Sequence, residues 1–332
     1  MQPFSYYRAT QVGDALAVMQ REPRAQLIAG GTELVNWLKE GIASPPVLVD
    51  INSLPDLDAI EANAAELSIG APARMNDVAA HPEVRRNYPA IAEALHNSAS
   101  PQLRNMASMG GNLLQRTRCP YFRADVELAC NKRRPGSGCA ALDGYDRTAA
   151  IFGWSEHCVA THPSDVAVAF AALDAAVHVR GLGGVERAIP MTDFYTLPGE
   201  TPERDTVLQR DELIVRIGVP QSPIARRSRY LKVRERTSYE FALVSVAAGV
   251  QLDAGGRITD VRIALGGVAH LPWRLATAER ALPGTHLSDA TALRAAIEDD
   301  FAAARPRRQN GFKIELVERA VVRTLQLAGG NA

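Results

Sequence analysis

The sequence predicts an α+β fold: an α/β segment at the N-terminus, and a C-terminal domain built on an antiparallel sheet and helices. Three observations predict it. Two short apolar runs, 26–29 and 46–51, flank a glycine turn and a helical stretch, which makes a strand–helix–strand unit. Two long β-like runs, 242–252 and 258–268, are joined by Asp253-Ala-Gly-Gly-Arg257, a hairpin signal, and two stretches with helical period follow them. Between these ends lies a long segment with neither period. At 332 residues the chain exceeds one ordinary domain, and 46% hydrophobic with 22% charged residues is usual for a globular protein. Basic and acidic residues balance at 37 each, so no overall field would draw in nucleic acid or an anionic membrane surface. No apolar run approaches the roughly 18 residues that a membrane-spanning helix needs.

Each element has a local cause. Residues 12–20 place apolar side chains on one helical face. Residues 26–29 form a short strand, Gly30-Gly31-Thr32 a tight turn, and 33–40 a helix that Gly41 stops. Residues 46–51 read as a buried strand, and 66–71 alternate as a strand of a second sheet. Residues 78–81 and 90–96 are helical. Ala107-Ser-Met-Gly-Gly-Asn112 is a second glycine turn, and Thr161-His-Pro-Ser-Asp165 leads into an apolar helix over 166–175. A polar connection, 197–205, crosses the middle of the chain. Tyr230-Leu-Lys-Val-Arg-Glu-Arg236 is a strand with its charges on one face, and helices over 287–304 and 312–327 close the chain. The C-terminal domain begins near residue 224.

All four cysteines, Cys119, Cys130, Cys139 and Cys158, fall in the segment without a period. A long ordered loop inside a domain usually has a function, and four soft ligands on one loop point to a metal or an iron–sulfur centre. Disulfides need an oxidising compartment. The N-terminal residues, Met1-Gln-Pro-Phe-Ser-Tyr-Tyr-Arg8, have no apolar core or cleavage site of a signal peptide. Structural zinc prefers cysteine pairs about two to four residues apart, whereas 10, 8 and 18 residues separate these. A [4Fe–4S] cluster accepts wider spacing because the loop wraps a larger object. Four unrelated buried thiols are the bland alternative. The loop also carries Arg116, Arg118, Arg123, Lys132, Arg133 and Arg134, which read either as a solvated basic face or as cations offsetting cluster charge and meeting an acidic partner.

Gly30-Gly31-Thr32 stands between a strand and a helix, where backbone N–H groups could hold a pyrophosphate. The third glycine of the nicotinamide fingerprint and the Lys-Ser/Thr of a Walker loop are both absent, so an ordinary turn competes with this reading. Gly110-Gly111-Asn112 is equally weak alone, but two such turns could grip the two ends of one dinucleotide. Ser164 or Asp165 reads first as a helix cap, and Asp165 otherwise as an acceptor for ribityl hydroxyls. Lys232 and Arg234 read as a solvated face, or as a cation near a flavin carbonyl.

Taken together, Ala29-Gly-Gly-Thr-Glu-Leu34, Ser108-Met-Gly-Gly-Asn112, Ser164-Asp165, Glu212-Leu213 and Lys232…Glu240-Phe-Ala242 resemble the FAD-binding subunit of the xanthine dehydrogenase family of molybdenum hydroxylases. The intervening cysteine segment resembles the [4Fe–4S] loop found in two relatives, the FAD subunit of three-subunit bacterial aldehyde oxidoreductases and the β subunit of 4-hydroxybenzoyl-CoA reductase. It is more similar to the former, through Cys119-Pro-Tyr-Phe122, Cys130-Asn-Lys-Arg133, Pro135-Gly-Ser-Gly-Cys139 and Ser238-Tyr-Glu-Phe-Ala242.

The resemblance implies a two-lobed FAD-binding domain of the molybdenum hydroxylase flavoprotein type over 1–223, with a small lobe 1–58 and a second lobe 59–223 that contains the cysteine loop 113–160. A C-terminal flavoprotein domain would cover 224–332. It implies that Leu27, Ile28, Ala29, Gly30, Gly31, Thr32, Glu33, Leu34 and Val35 hold the pyrophosphate. Ser108, Gly111 and Asn112 would line the other end of the FAD and Asp165 the ribityl chain. Leu213 or Ile214 would face the isoalloxazine and Lys232 its polar edge. Glu240 stands where many relatives have Asp. Cys119, Cys130, Cys139 and Cys158 would ligate the cluster. No catalytic residue is expected, because the chain carries no molybdopterin site and has no cysteines left for [2Fe–2S] clusters. The implied role is an electron-transfer subunit working with a molybdenum large subunit and a [2Fe–2S] small subunit. The competing roles are the β subunit of a 4-hydroxybenzoyl-CoA reductase-like enzyme, a stand-alone flavin oxidoreductase with structural zinc, and a zinc-stabilised binding module. The sequence alone places the chain in the cytoplasm, with a periplasmic location requiring co-export on a partner's signal.

Overall fold

A computed structural model describes residues 1–330. The chain forms three sheets. The first has three parallel strands, with Val47–Asp50 between Ser5–Arg8 and Gln26–Ile28. Its central strand is apolar on both faces, as parallel pairing covered by helices requires. Leu48 packs with Leu34 and Leu38 of the helix Leu34–Lys39, while Val49 packs on the opposite face with Ala15 and Leu16 of the helix Val12–Arg21. Successive strand side chains point to opposite faces, so two neighbours serve two cores.

The second sheet has five antiparallel strands in the order Ile60–Ala62, Glu66–Gly70, Glu212–Pro220, Ala176–Gly181, Glu186–Pro190. The third has four, in the order Trp273–Arg274, Ile258–Gly266, Val244–Leu252, Ser228–Val233. The hairpin expected at 253–257 is present: Asp253 Oδ1 accepts from Gly255 N at 2.8 Å and from Arg257 N at 2.9 Å, and Gly256 takes a positive φ of 78°. The helix Asp165–Ala172 is buried at every position and packs against both strands of this hairpin. A helix that is apolar all round needs partners on all sides, and the sequence Val-Ala-Val-Ala-Phe-Ala-Ala meets that need. The helix Phe312–Ala328 covers the third sheet. Fold class and architecture agree with the expected α+β arrangement.

The cysteine loop lies between the second and third sheets, and between residues 114 and 164 its one helix is the single turn Pro120–Arg123. Its far end is docked on the C-terminal domain. Ile151 N and Phe152 N both donate to Val268 O, at 2.8 and 3.0 Å, and Phe152 stacks on Trp273 with ring centroids 5.0 Å apart. Lys313 Nζ donates to Ala149 O at 2.9 Å and to Gly267 O at 2.7 Å. Burial, helped by nearby Arg147, pushes the Lys313 ammonium down to about 7. No helix among the described residues is long and apolar enough to cross a membrane.

Candidate cofactor site

A cavity of about 720 Å³ opens between the first sheet, the second glycine turn and the loop after Ser228–Val233. Its size lies within the usual range for small-molecule and cofactor sites, about 300–1,000 Å³. The first glycine turn makes one wall through Leu27, Ile28, Ala29, Gly30, Gly31, Thr32, Glu33 and Leu34. Ser108, Gly111 and Asn112 make another, and Asp165 and Lys232 a third. The structure therefore brings thirteen of the sixteen expected residues into the lining of one cavity. Val35, Leu213 and Ile214 are outside it: Leu213 and Ile214 are buried in two hydrophobic cores, and it is the preceding residues Leu208, Gln209, Arg210 and Glu212 that reach the cavity.

The two glycine turns touch. A Cβ on Gly30 would stand 1.8 Å from Met106 O, so the backbone of one turn lies directly on the other. Arg74 ties them from the side: its Nη1 donates to Met106 O at 2.7 Å and its Nη2 to Asn52 Oδ1 at 2.8 Å. Asn52 Nδ2 in turn donates to Ala29 O at 3.0 Å. Ser108 caps the short helix Met109–Leu113, its Oγ accepting from Gly111 N at 3.2 Å, and Ser164 Oγ donates to Asn112 Oδ1 at 2.6 Å, which orients that amide.

Capping of the helix at 165 falls to Ser164, whose Oγ accepts from Ala167 N. This leaves the Asp165 carboxylate for the cavity side. It accepts from Ser98 Oγ at 2.8 Å, Tyr230 Oη at 2.5 Å and Lys232 Nζ at 2.8 Å. Burial and the adjacent Asp165 charge hold the Tyr230 phenol protonated, well above its ordinary range. The Lys232 side chain is 2% exposed and also donates to Asn97 O. Its charge is thus compensated by Asp165 and is not a free cation. Other cations reach the cavity wall in irregular segments: Arg118, Arg210 and Arg236, with the aromatic pair Tyr239 and Phe241. Arg118 lies over the Phe241 ring at 4.8 Å, and Tyr239 has a positive φ of 52°, a strained backbone of the kind that recurs at functional sites. Glu240 is in the same wall.

The wall suits a dinucleotide with a flavin head. It has backbone left bare by glycine at the turns, apolar and aromatic surface, and two buried polar atoms without a partner, Gln26 Oε1 and Arg118 Nε.

The cysteine loop meets this cavity at Arg118, the residue before Cys119. The four thiols are neighbours. Cys130 and Cys139 face each other across an antiparallel bridge, and charge on Cys130 or Cys139 raises the pKa of Cys119. Burial pushes the Cys119 thiol up to about 11 and the Cys158 thiol up to about 12, with Lys132 opposing the latter. Among the described residues, no group of three or more His, Cys, Asp and Glu side chains is arranged to hold a single metal ion. The four cysteines expected to ligate a cluster therefore share one loop, with Cys130 and Cys139 paired across a bridge, but do not form a closed ligand set.

Four of the six loop cations turn inward. Arg116 Nε and Lys132 Nζ each pair with Asp205 at 2.6 Å, and Arg118 and Arg123 pair with Glu33. Arg133 donates to Ala124 O, and Arg134 makes an exposed pair with Glu127. The expected basic face is mostly internal wiring, because buried guanidinium groups need carboxylates and the loop has no regular hydrogen bonds to hold it.

Residues 2–222 match the family described as the FAD binding domain in molybdopterin dehydrogenase, and residues 229–328 the CO dehydrogenase flavoprotein C-terminal domain. The chain is 47% identical over 333 aligned residues to the aldehyde oxidoreductase FAD-binding subunit PaoB of Escherichia coli, covering 100% of both. It is 28% identical to the glyceraldehyde dehydrogenase medium chain of Sulfolobus acidocaldarius, over 86% of this chain and 83% of that one. Among solved structures it superposes on a chain of the carbon monoxide dehydrogenase of Hydrogenophaga pseudoflava with a TM-score of 0.75, at 26% identity and 100% coverage of both.

Proposed function

The chain belongs to the FAD-binding subunits of the molybdenum hydroxylases, and from that premise we propose that it is the FAD and [4Fe–4S] electron-transfer subunit of a three-subunit aldehyde oxidoreductase. In this reading it takes electrons from a molybdenum large subunit and a [2Fe–2S] small subunit and delivers them to an external acceptor. The observation that carries it is that the loop holding all four cysteines leaves the wall of a flavin-sized cavity: Leu114, Gln115 and Arg118 line that cavity, and Cys119 follows Arg118 directly. The full-length similarity to an aldehyde oxidoreductase subunit supports the substrate class.

When bound, FAD accepts electrons singly and releases them in pairs, and a four-iron cluster carries them one at a time. The residues of this chain hold and orient. The turn from Leu27 to Val35 would take the pyrophosphate, with Gly30 and Gly31 keeping side chains out of its way. Ser108, Gly111 and Asn112 would seat the other end, and Asp165, whose Oδ1 takes a single protein donor, would accept from a ribityl hydroxyl. Because Asp165 neutralises Lys232 and Glu33 neutralises Arg118, the cations closest to a reduced, anionic flavin would be Arg210 or Arg236. Cys119, Cys130, Cys139 and Cys158 would ligate the cluster. A single zinc ion draws its four sulfurs to about 2.3 Å from one centre, whereas an iron–sulfur core stands between its ligands and keeps them further apart. With all four cysteines in one shell, the chain has none for [2Fe–2S] centres, so it would not oxidise aldehyde alone. We place the domain boundary near residue 223, and the compartment in the cytoplasm unless a partner's signal exports the folded complex.

Native co-purification with the partner subunits, followed by flavin, iron and sulfide analysis, tests this. The expected result is one FAD and about four irons with about four sulfides per chain. Each of Cys119→Ser, Cys130→Ser, Cys139→Ser and Cys158→Ser should lower the iron content. Full iron in all four variants would remove the cluster from the proposal.

A further inference from the structure

We propose that Glu33 couples the two cofactor sites, so that a filled cysteine shell tightens FAD binding and bound FAD secures the shell. This rests on the function proposed above. Glu33 ends the glycine turn on the cavity wall. Its carboxylate is saturated by protein donors. Oε2 accepts from Arg118 Nη1 at 2.8 Å. Oε1 accepts from Arg123, from Trp37 Nε1 at 3.0 Å and from Arg116 N at 3.3 Å. Three of these four donors belong to residues 116–123, and Arg118 and Arg123 stand on either side of Cys119.

That stretch has one helical turn and little else to shape it, so the carboxylate acts as its template. Arg123 extends the tie, donating from Nε to Thr117 O at 3.1 Å and pairing with Glu40 at 3.3 Å. The side chains of Glu33 and Arg123 are 15% and 14% exposed, which leaves their charge-assisted bonds largely unscreened by salt. Glu33 therefore borders the FAD cavity, while its partners Arg118 and Arg123 fix the backbone on both sides of a cluster ligand. Loosening the stretch around Cys119 takes two guanidinium groups from Glu33 and frees the turn beneath the pyrophosphate position. Linkage then requires the effect to run equally in the other direction.

The test uses the complex purified with its partner subunits, stripped of flavin, in two states: as isolated, and after iron removal with a chelator. FAD affinity is measured in each by quenching of flavin fluorescence. In the wild type, FAD should bind about tenfold or more tightly in the iron-loaded state, within the usual scale of coupling between sites. Glu33→Gln keeps the side-chain shape and removes the charge, and should bring the two affinities together. Arg123→Gln breaks the same pair from the loop side, should do likewise, and serves if Glu33→Gln does not assemble. A residue that only held the fold would weaken both states alike and leave their ratio intact. An unchanged ratio in the variants, or a wild-type ratio near one, overturns the coupling. Iron analysis separates the failures: wild-type protein with an iron-free shell refutes the proposed function as well, whereas iron-loaded protein without coupling refutes this inference alone.

Discussion

Gly30→Val is expected to abolish FAD binding while the C-terminal domain stays folded. A Cβ at this position would lie 1.8 Å from Met106 O and 2.6 Å from its carbonyl carbon, well inside the 3.0 Å that real contacts respect. Both atoms are backbone, and neither can yield cheaply. Met106 O already accepts from Arg74, which holds Asn52, which holds Ala29 O, so the two glycine turns are closed into one ring of bonds. A side chain at residue 30 must pry the turns apart and widen the cavity where a pyrophosphate would be gripped. An affinity loss of a hundredfold or more, about 2.7 kcal/mol, is the expected size. The flavin-to-protein absorbance ratio after native purification measures it, and far-UV circular dichroism checks the fold. Wild-type flavin content in a folded variant would refute this assignment of the turn. Gly31 is the weaker constraint. It has a positive φ of 70°, and a Cβ there would meet only side chains, Val35 at 3.3 Å and Ile28 at 3.6 Å. A substitution there costs about 1–2 kcal/mol of backbone strain without forcing the lobes open.

What could be read from the sequence was local. The strand–helix–strand unit, the hairpin at 253–257 and the terminal helices follow periods and turn residues that lie within one window, and they fold where those signals put them. Four of the five strands of the second sheet carried no such advance notice. Glu212–Pro220 is its centre, but it pairs with Glu66–Gly70 and Ala176–Gly181, and only tertiary pairing across that sequence distance makes it a strand. Ser5–Arg8 is exposed at every position, an edge strand without alternation. The same division holds at the site. Glycine turns and cysteines have sequence signatures, and most of the residues they named do line the cavity. Leu208, Gln209, Arg210 and Arg236 reach it from irregular segments with no motif. The pairing of Glu33 and Asp205 with four loop cations needed the folded chain, because each carboxylate finds partners far away in sequence. Leu213 and Ile214 show the converse: a motif placed them correctly in the chain, but strand alternation turned their side chains into the cores.

Asp205→Ala, in the connection that anchors the cysteine loop, should destabilise that loop more than any other single change. Lys132 is buried, with 2% of its side chain exposed, and donates to Asp205 Oδ1 at 2.6 Å and Pro202 O at 2.7 Å. Arg116 takes the other oxygen of the same carboxylate. Removing the shared acceptor strands a buried ammonium and a half-buried guanidinium, and breaking a buried pair from one side typically costs about 3–5 kcal/mol. The pH dependence carries a sign. Burial alone would raise the Asp205 pKa, but Lys132 and then Arg116 outweigh it and hold it below its ordinary 3.8. A carboxylate depressed in this way stabilises the fold above its unfolded value, and that stability is lost as pH falls through the folded one. The gap in unfolding midpoint between wild type and variant should therefore be full at neutral pH and close only in acid below 3.8. Denaturation at a series of pH values would show it, and a gap that is small at neutral pH or independent of acid would refute the assignment. The double variant Lys132→Met with Asp205→Ala separates charge from packing. Methionine fills much of the lysine's volume without an ammonium to satisfy, so the double variant should regain part of what the single one loses. If it is no more stable than Asp205→Ala, the carboxylate's value lies in Arg116 and the Pro202 turn, not in the buried lysine.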